Sequence, residues 1–71
     1  MERQHVNSSN LRSVGYDQDS STLEIEFHSG GIYQYLNVPI HIHTGLMTAS
    51  SKGTYFDSHI KKGPFRFRKI R

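Results

Sequence analysis

The chain contains no cysteine. No disulfide can staple it, and no thiolate metal centre can form. It has no long apolar run, so no segment approaches the roughly 20 residues of a membrane-spanning helix. The first five residues, Met1 to His5, include no apolar stretch of the kind that opens a secretory leader. The expectation is a cytoplasmic protein with no membrane partner. Hydrophobic residues are scarce as well, at 34% of 71 residues. A single domain of this size lies near the lower limit of what folds unaided, so its core must be thin. Acidic residues are missing from the whole C-terminal segment, which holds Lys61, Lys62, Arg66, Arg68, Lys69 and Arg71 and carries +6. Everything before it sums to −3. The net charge of +3 is therefore the property of one segment.

Aromatics offset the thin core. Four Phe and four Tyr each bury a large area. The stretch from Thr22 to Pro39 organises the rest. Leu23, Ile25 and Phe27 alternate with Glu24, Glu26 and His28, the period of a strand with one buried face. Ser29-Gly30-Gly31 allows a tight turn, and Ile32 to Leu36 is the return strand. The register has two solutions. A Gly30-Gly31 loop places Ile32 and Leu36 on the face of Leu23, Ile25 and Phe27. A Ser29-Gly30-Gly31 loop pairs Phe27 with Tyr33 and Ile25 with Tyr35. Cross-strand aromatic packing favours the second. Leu11 to Asp17 supplies a preceding strand, weakened by Gly15, and the polar run Asp17 to Ser21 connects it to the hairpin.

Val38-Pro39 ends the sheet. Ile40 to Ala49 follows as a helix, with Ile42, Leu46 and Ala49 at helical spacing and Gly45 weakening it. Thr54 to Lys62 is a second short helix, with Phe56 and Ile60 four apart, ending at Gly63-Pro64. Phe65 to Ile70 alternates briefly, as an edge strand or a docked tail. The fold expected is α+β: a three-stranded antiparallel meander with two short helices packed on one face.

Little of the chemistry points to catalysis. His41 and His43, two apart on a helix, diverge by about 200° and cannot share a metal, so both are expected to face solvent. Ser50 to Thr54 lacks the order of a phosphate-binding loop and is best taken as an interhelix turn. Glu24 and Glu26 lie on one strand face and, without a cleft, are its solvated side. No nucleophile elbow is present. No cofactor, no metal and no enzymatic activity are expected. Tyr33 and Tyr35 are either core, with hydroxyls at the rim, or an exposed platform for stacking bases. The shortage of apolar mass favours core. The basic segment, Lys61, Lys62, Arg66, Arg68, Lys69 and Arg71, interleaves with Phe65 and Phe67 and can neutralise phosphates.

A set of residues in order along the chain resembles the KTSC domain family, a small domain also found at the C-terminus of some lysyl-tRNA synthetases. They are Ser8-Ser9-Asn10-Leu11, Gly15-Tyr16, Thr22-Leu23, Phe27, the glycine turn, Tyr33-Gln34-Tyr35, Val38-Pro39, Ala49, Ser51-Lys52-Gly53, Phe56 and Ile60. The resemblance implies one domain over residues 1–71, with a core of about 6–63 and the basic segment 61–71, and a small bacterial protein. It also raises a role in RNA binding. The expected partner is RNA or single-stranded nucleic acid, through the basic segment with Tyr33 and Tyr35. The alternative is a protein-interaction module with no nucleic-acid role.

Overall fold

The computed structural model describes residues Met1–Arg71. It is an α+β fold built on one five-stranded antiparallel sheet whose strands lie in chain order. The strands are β1 Arg3–His5, β2 Leu11–Asp17, β3 Thr22–Phe27, β4 Ile32–Tyr35 and β5 Phe67–Lys69. Between β4 and β5 come α1, Ile40–Thr48, and α2, Lys52–Tyr55, which runs on as a π-helical segment over Phe56–Lys61. The sheet thus has five strands and not three. β1 and β5 are three residues each, too short to show alternation. They form because β2 and β4 would otherwise present unpaired backbone groups along their edges. The second helix starts two residues before the expected Thr54.

The central hairpin closes with Phe27 N–H donating to the Gly31 carbonyl and Gly30 N–H to the Phe27 carbonyl, both at 2.9 Å. The loop is therefore His28-Ser29-Gly30, with Gly30 at φ +101°, a conformation that favours glycine. A three-residue loop was expected, but it begins one residue earlier. Ile25 consequently faces Tyr33 and Leu23 faces Tyr35, two residues away from the expected partners. A shift of two preserves the alternation, so both tyrosines stay on the face of Leu23 and Ile25. In β2 a bulge leaves Arg12 without an opposite residue between Leu11 and Ser13. Leu11 and Val14, three apart, therefore both reach the core.

The core joins Leu11, Val14, Leu23, Ile25 and Tyr35 of the sheet to Val38, Leu46, Phe56 and Ile60 of the helical half. Gly45, which weakens α1 by propensity, makes room for its neighbour: a Cβ there would lie 2.1 Å from the Tyr55 hydroxyl. Tyr16 ties the start of α1 to the sheet, its hydroxyl donating to the Val38 carbonyl at 2.5 Å. Its ring stacks on His43, with centroids 4.8 Å apart and planes 9° apart. His41 is exposed, but His43 is half-buried in this stack rather than solvent-facing. Burial lowers its pKa from the ordinary 6.5.

The face of the sheet away from the helices is not a bare solvated surface. Arg3, Gly15, Glu24, Gln34 and Arg68 stand opposite one another across all five strands. The Arg3 guanidinium bonds to one Glu24 oxygen, and Gln34 Nε2 donates to the other at 2.8 Å. Arg68 Nε donates to Gln34 Oε1 at 2.9 Å. Gly15 is the gap in this row: a Cβ there would meet the Glu2 carbonyl at 2.8 Å and the Arg3 stem at 3.0 Å. The missing side chain is what lets Arg3 cross β2 to reach Glu24. Glu24 is only 6% exposed, and Glu26 accepts from Ser13 Oγ at 2.7 Å. Both carboxylates, expected on the solvated side, are instead structural. Burial pushes the Glu24 carboxyl up, but the Gln34 and Arg3 hydrogen bonds and the Arg3 charge outweigh it and hold it below the usual value.

Candidate functional site

The opposite face ends in an aromatic groove between the β3–β4 hairpin, β5 and the π-helical segment. Phe27 packs edge-on against Tyr33 at 5.7 Å and Phe56 at 5.4 Å. Tyr35 meets Phe56 at 5.5 Å, and Phe67 lies 6.0 Å from Tyr33 and 5.6 Å from Tyr35. These rings line a hollow of about 710 Å³, rimmed by His28, Asp57 and Lys61, within the usual range of ligand sites. Tyr35 is buried and Tyr33 half-buried, so the two are neither all core nor all platform. Burial, with Tyr33 beside it, raises the Tyr35 hydroxyl above its ordinary value and keeps it a neutral donor. Phe67 is 61% exposed, an open ring at the groove's edge.

The basic residues divide among different places. Lys61 lines the groove. Lys69 stands opposite Tyr33 across the β4–β5 pair, hence on the groove's face of the sheet. Arg68 is on the other face, bonded to Gln34. Lys62 pairs with Asp57 at 3.3 Å. Arg66 and Arg71 fix the segment through their carbonyls, which accept from Leu36 N–H at 2.8 Å and Ile32 N–H at 3.0 Å. Docking as β5 thus brings Lys69 to the tyrosines' face and takes Arg68 away, while Lys61 reaches the groove from the π-helical segment.

A second hollow, of about 550 Å³ and lined by no apolar residue, adjoins the first. Two polar runs far apart in sequence meet in it: Asn7 to Asn10 ahead of β2, and Ser50 to Thr54 at the start of α2. Ser8 Oγ accepts the Asn10 and Leu11 N–H groups at 3.2 Å, which fixes the first run. Lys52 Nζ donates to the Ala49 carbonyl at 3.0 Å, which fixes the second. Each run is an ordinary loop by composition. Only the fold shows that they share a wall. Phe27, Phe56 and Phe67 were likewise recognisable as apolar but not as one lining.

Comparison with known proteins bears on the fold. A KTSC domain protein of Yersinia pestis is 51% identical and superposes with a TM-score of 0.93, over 99% of this chain and 97% of that one. An uncharacterised protein of Stutzerimonas stutzeri is 40% identical across 99% of both chains. A lysine–tRNA ligase of Nostoc punctiforme is 40% identical over 60 residues, which is 84% of this chain but 10% of the ligase. The KTSC domain model itself matches residues 7–65. The chain belongs to the KTSC domain family.

Proposed function

We propose that this domain is a non-enzymatic bacterial module, acting in the cytoplasm, that binds single-stranded RNA or another polyanion at the aromatic groove. The observation that carries the reading is the meeting of Tyr33, Phe67 and Lys61 in one open hollow. Single-strand binders combine such stacking rings with cations along the backbone path, each stacked base contributing about 1–3 kcal/mol. Lys69 extends the positive charge along β5, with Lys62, Arg66, Arg68 and Arg71 reinforcing the field around it. The presence of a similar segment in ligases that join lysine to tRNA supports RNA as the polyanion. The exposed Phe67 on edge strand β5 and the exposed Ile70 just beyond it support a second reading, a protein-interaction module docking by strand addition.

Titration with a single-stranded RNA octamer at several salt concentrations separates the two. The proposal expects affinity to fall with a log–log slope of about −0.7 per phosphate neutralised. Replacing Lys61 and Lys69 by Gln should make that slope shallower by about one to two units. Phe67→Ala should weaken binding by roughly 5- to 150-fold, the equivalent of one stacked base. Absence of RNA binding at low salt would leave the protein-interaction module as the better description.

A further inference from the structure

The aromatic and polar hollows are two halves of one cleft, because Ser9, Asn10, Gly53 and Asp57 line both. Their chemistry is complementary along its length. At one end are rings with Lys61 beside them. At the other are hydroxyls, amides and Lys52. Ser8 Oγ is occupied by backbone N–H groups and Ser51 Oγ by Thr54. The side chains of Ser9, Asn10 and Ser50 stay open to a ligand. Lys52 uses one of its three donors on Ala49. Asp57 stands at the junction, its charge balanced by Lys62 at 3.3 Å. The π-helical segment carries both Asp57 and Lys61 on the cleft; such irregular turns recur where a helix serves a site.

We infer that this continuous cleft holds one ribonucleotide, with the base in the aromatic half, the ribose hydroxyls donating to Asp57, and the phosphate in the polar half among Ser9, Ser50 and Lys52. The inference rests on the RNA reading and adds to it a defined binding unit and a preference for ribose. A carboxylate at the junction is unfavourable for a bare polyanion but suits a ligand with hydroxyl donors between its base and its phosphate. Gly53 supports the same arrangement. A Cβ there would lie 3.6 Å from Asn10 Nδ2 and 3.7 Å from Ser8 Oγ, ordinary contacts that cost nothing. Glycine is among the poorest helix formers, so its presence in α2 has no packing reason. A methyl group would, however, stand in the space between Gly53 and Asn10, two residues that line both halves.

The test uses the full chain, with residue-resolved amide shifts read during titration with AMP, dAMP and adenosine. AMP should move Gly53, Thr54 and Asn10 together with Tyr33 and Phe67. It should bind at least threefold tighter than dAMP and tenfold tighter than adenosine. Gly53→Ala should keep or raise the melting temperature yet weaken AMP tenfold or more. Ser50→Ala, at an exposed residue that lines the polar half alone, should reduce AMP affinity without changing that of adenosine. Equal affinity for AMP and dAMP, or shifts confined to one half, would overturn the inference. If the RNA octamer binds wild type and Gly53→Ala alike, the groove still binds RNA but the one-nucleotide cleft is refuted. If neither AMP nor the octamer binds, both readings fall.

Discussion

Glu24→Gln is the most incisive perturbation of the sheet. The substitution keeps shape and volume but removes the charge that holds the five-strand polar row together. In the native protein each Glu24 oxygen accepts one bond, from Arg3 and from Gln34. Gln can accept only one of them, and its amide then points its own donors at the other partner. Losing a charge-assisted bond costs about 1.5–3 kcal/mol, with the buried partner left unsatisfied. In a domain this small that corresponds to a melting temperature lower by about 10–20 °C at pH 7. The sign with pH follows from linkage. The folded Glu24 pKa lies below its ordinary 4.5, so its contribution is complete above that value and is lost as pH falls through the folded value. The gap between wild type and variant should therefore narrow on acidification below pH 4.5. Thermal melts from pH 7 to pH 3 measure it. Coincident melts at pH 7, or a gap that stays constant down to pH 3, would refute the role assigned to the row.

Gly15→Ala forces a Cβ to within 2.8 Å of the Glu2 carbonyl, and should cost about 1–3 kcal/mol as overpacking. The amides of β1 should lose exchange protection before the rest, and uniform protection would count against it. Phe27→Ala removes a half-buried ring with two edge-on partners and should destabilise by about 2–4 kcal/mol, somewhat below a fully buried Phe; an unchanged denaturant midpoint would show the ring is not part of the core. His43 has a depressed pKa, so the unfolded chain takes the proton more readily and stability should fall as pH drops below about 6.5. His43→Phe, which preserves the stack on Tyr16, should flatten that dependence between pH 7 and pH 5.

The parts of the fold that were legible beforehand were those with a strong local signal. Thr22 to Phe27 alternates over a whole strand, Leu11 to Asp17 mixes apolar and polar residues ahead of a polar loop, and Pro39 marks the start of α1. β1 and β5 carry no such signal, since three residues with one or no apolar side chain gain their structure from the neighbour they pair with. Cross-strand aromatic packing favoured the observed faces of the hairpin, but its partners depend on which glycine adopts the left-handed conformation, and both Gly30 and Gly31 could. The solvated reading of Glu24 failed for a related reason. Alternation shows which face a residue occupies and not what covers that face, and Arg3 covers Glu24 only because Gly15 leaves the space. Within the site, Tyr33 and the basic run were visible as residue types. Their division into groove-side Lys69 and far-side Arg68 follows from the β4–β5 register, and Lys61 reaches the groove from the π-helical segment; no local pattern encodes either.

The measurement that tests the account's central claim most directly is a residue-resolved amide titration of the full chain with a single-stranded RNA octamer at low salt. Binding at the groove predicts saturable shifts at Phe27, Tyr33, Lys61 and Phe67, reversed by added salt, with α1 and the Arg3–Glu24 row of the opposite face unmoved. Absence of shifts, or shifts confined to Arg68 and the opposite face, would contradict it.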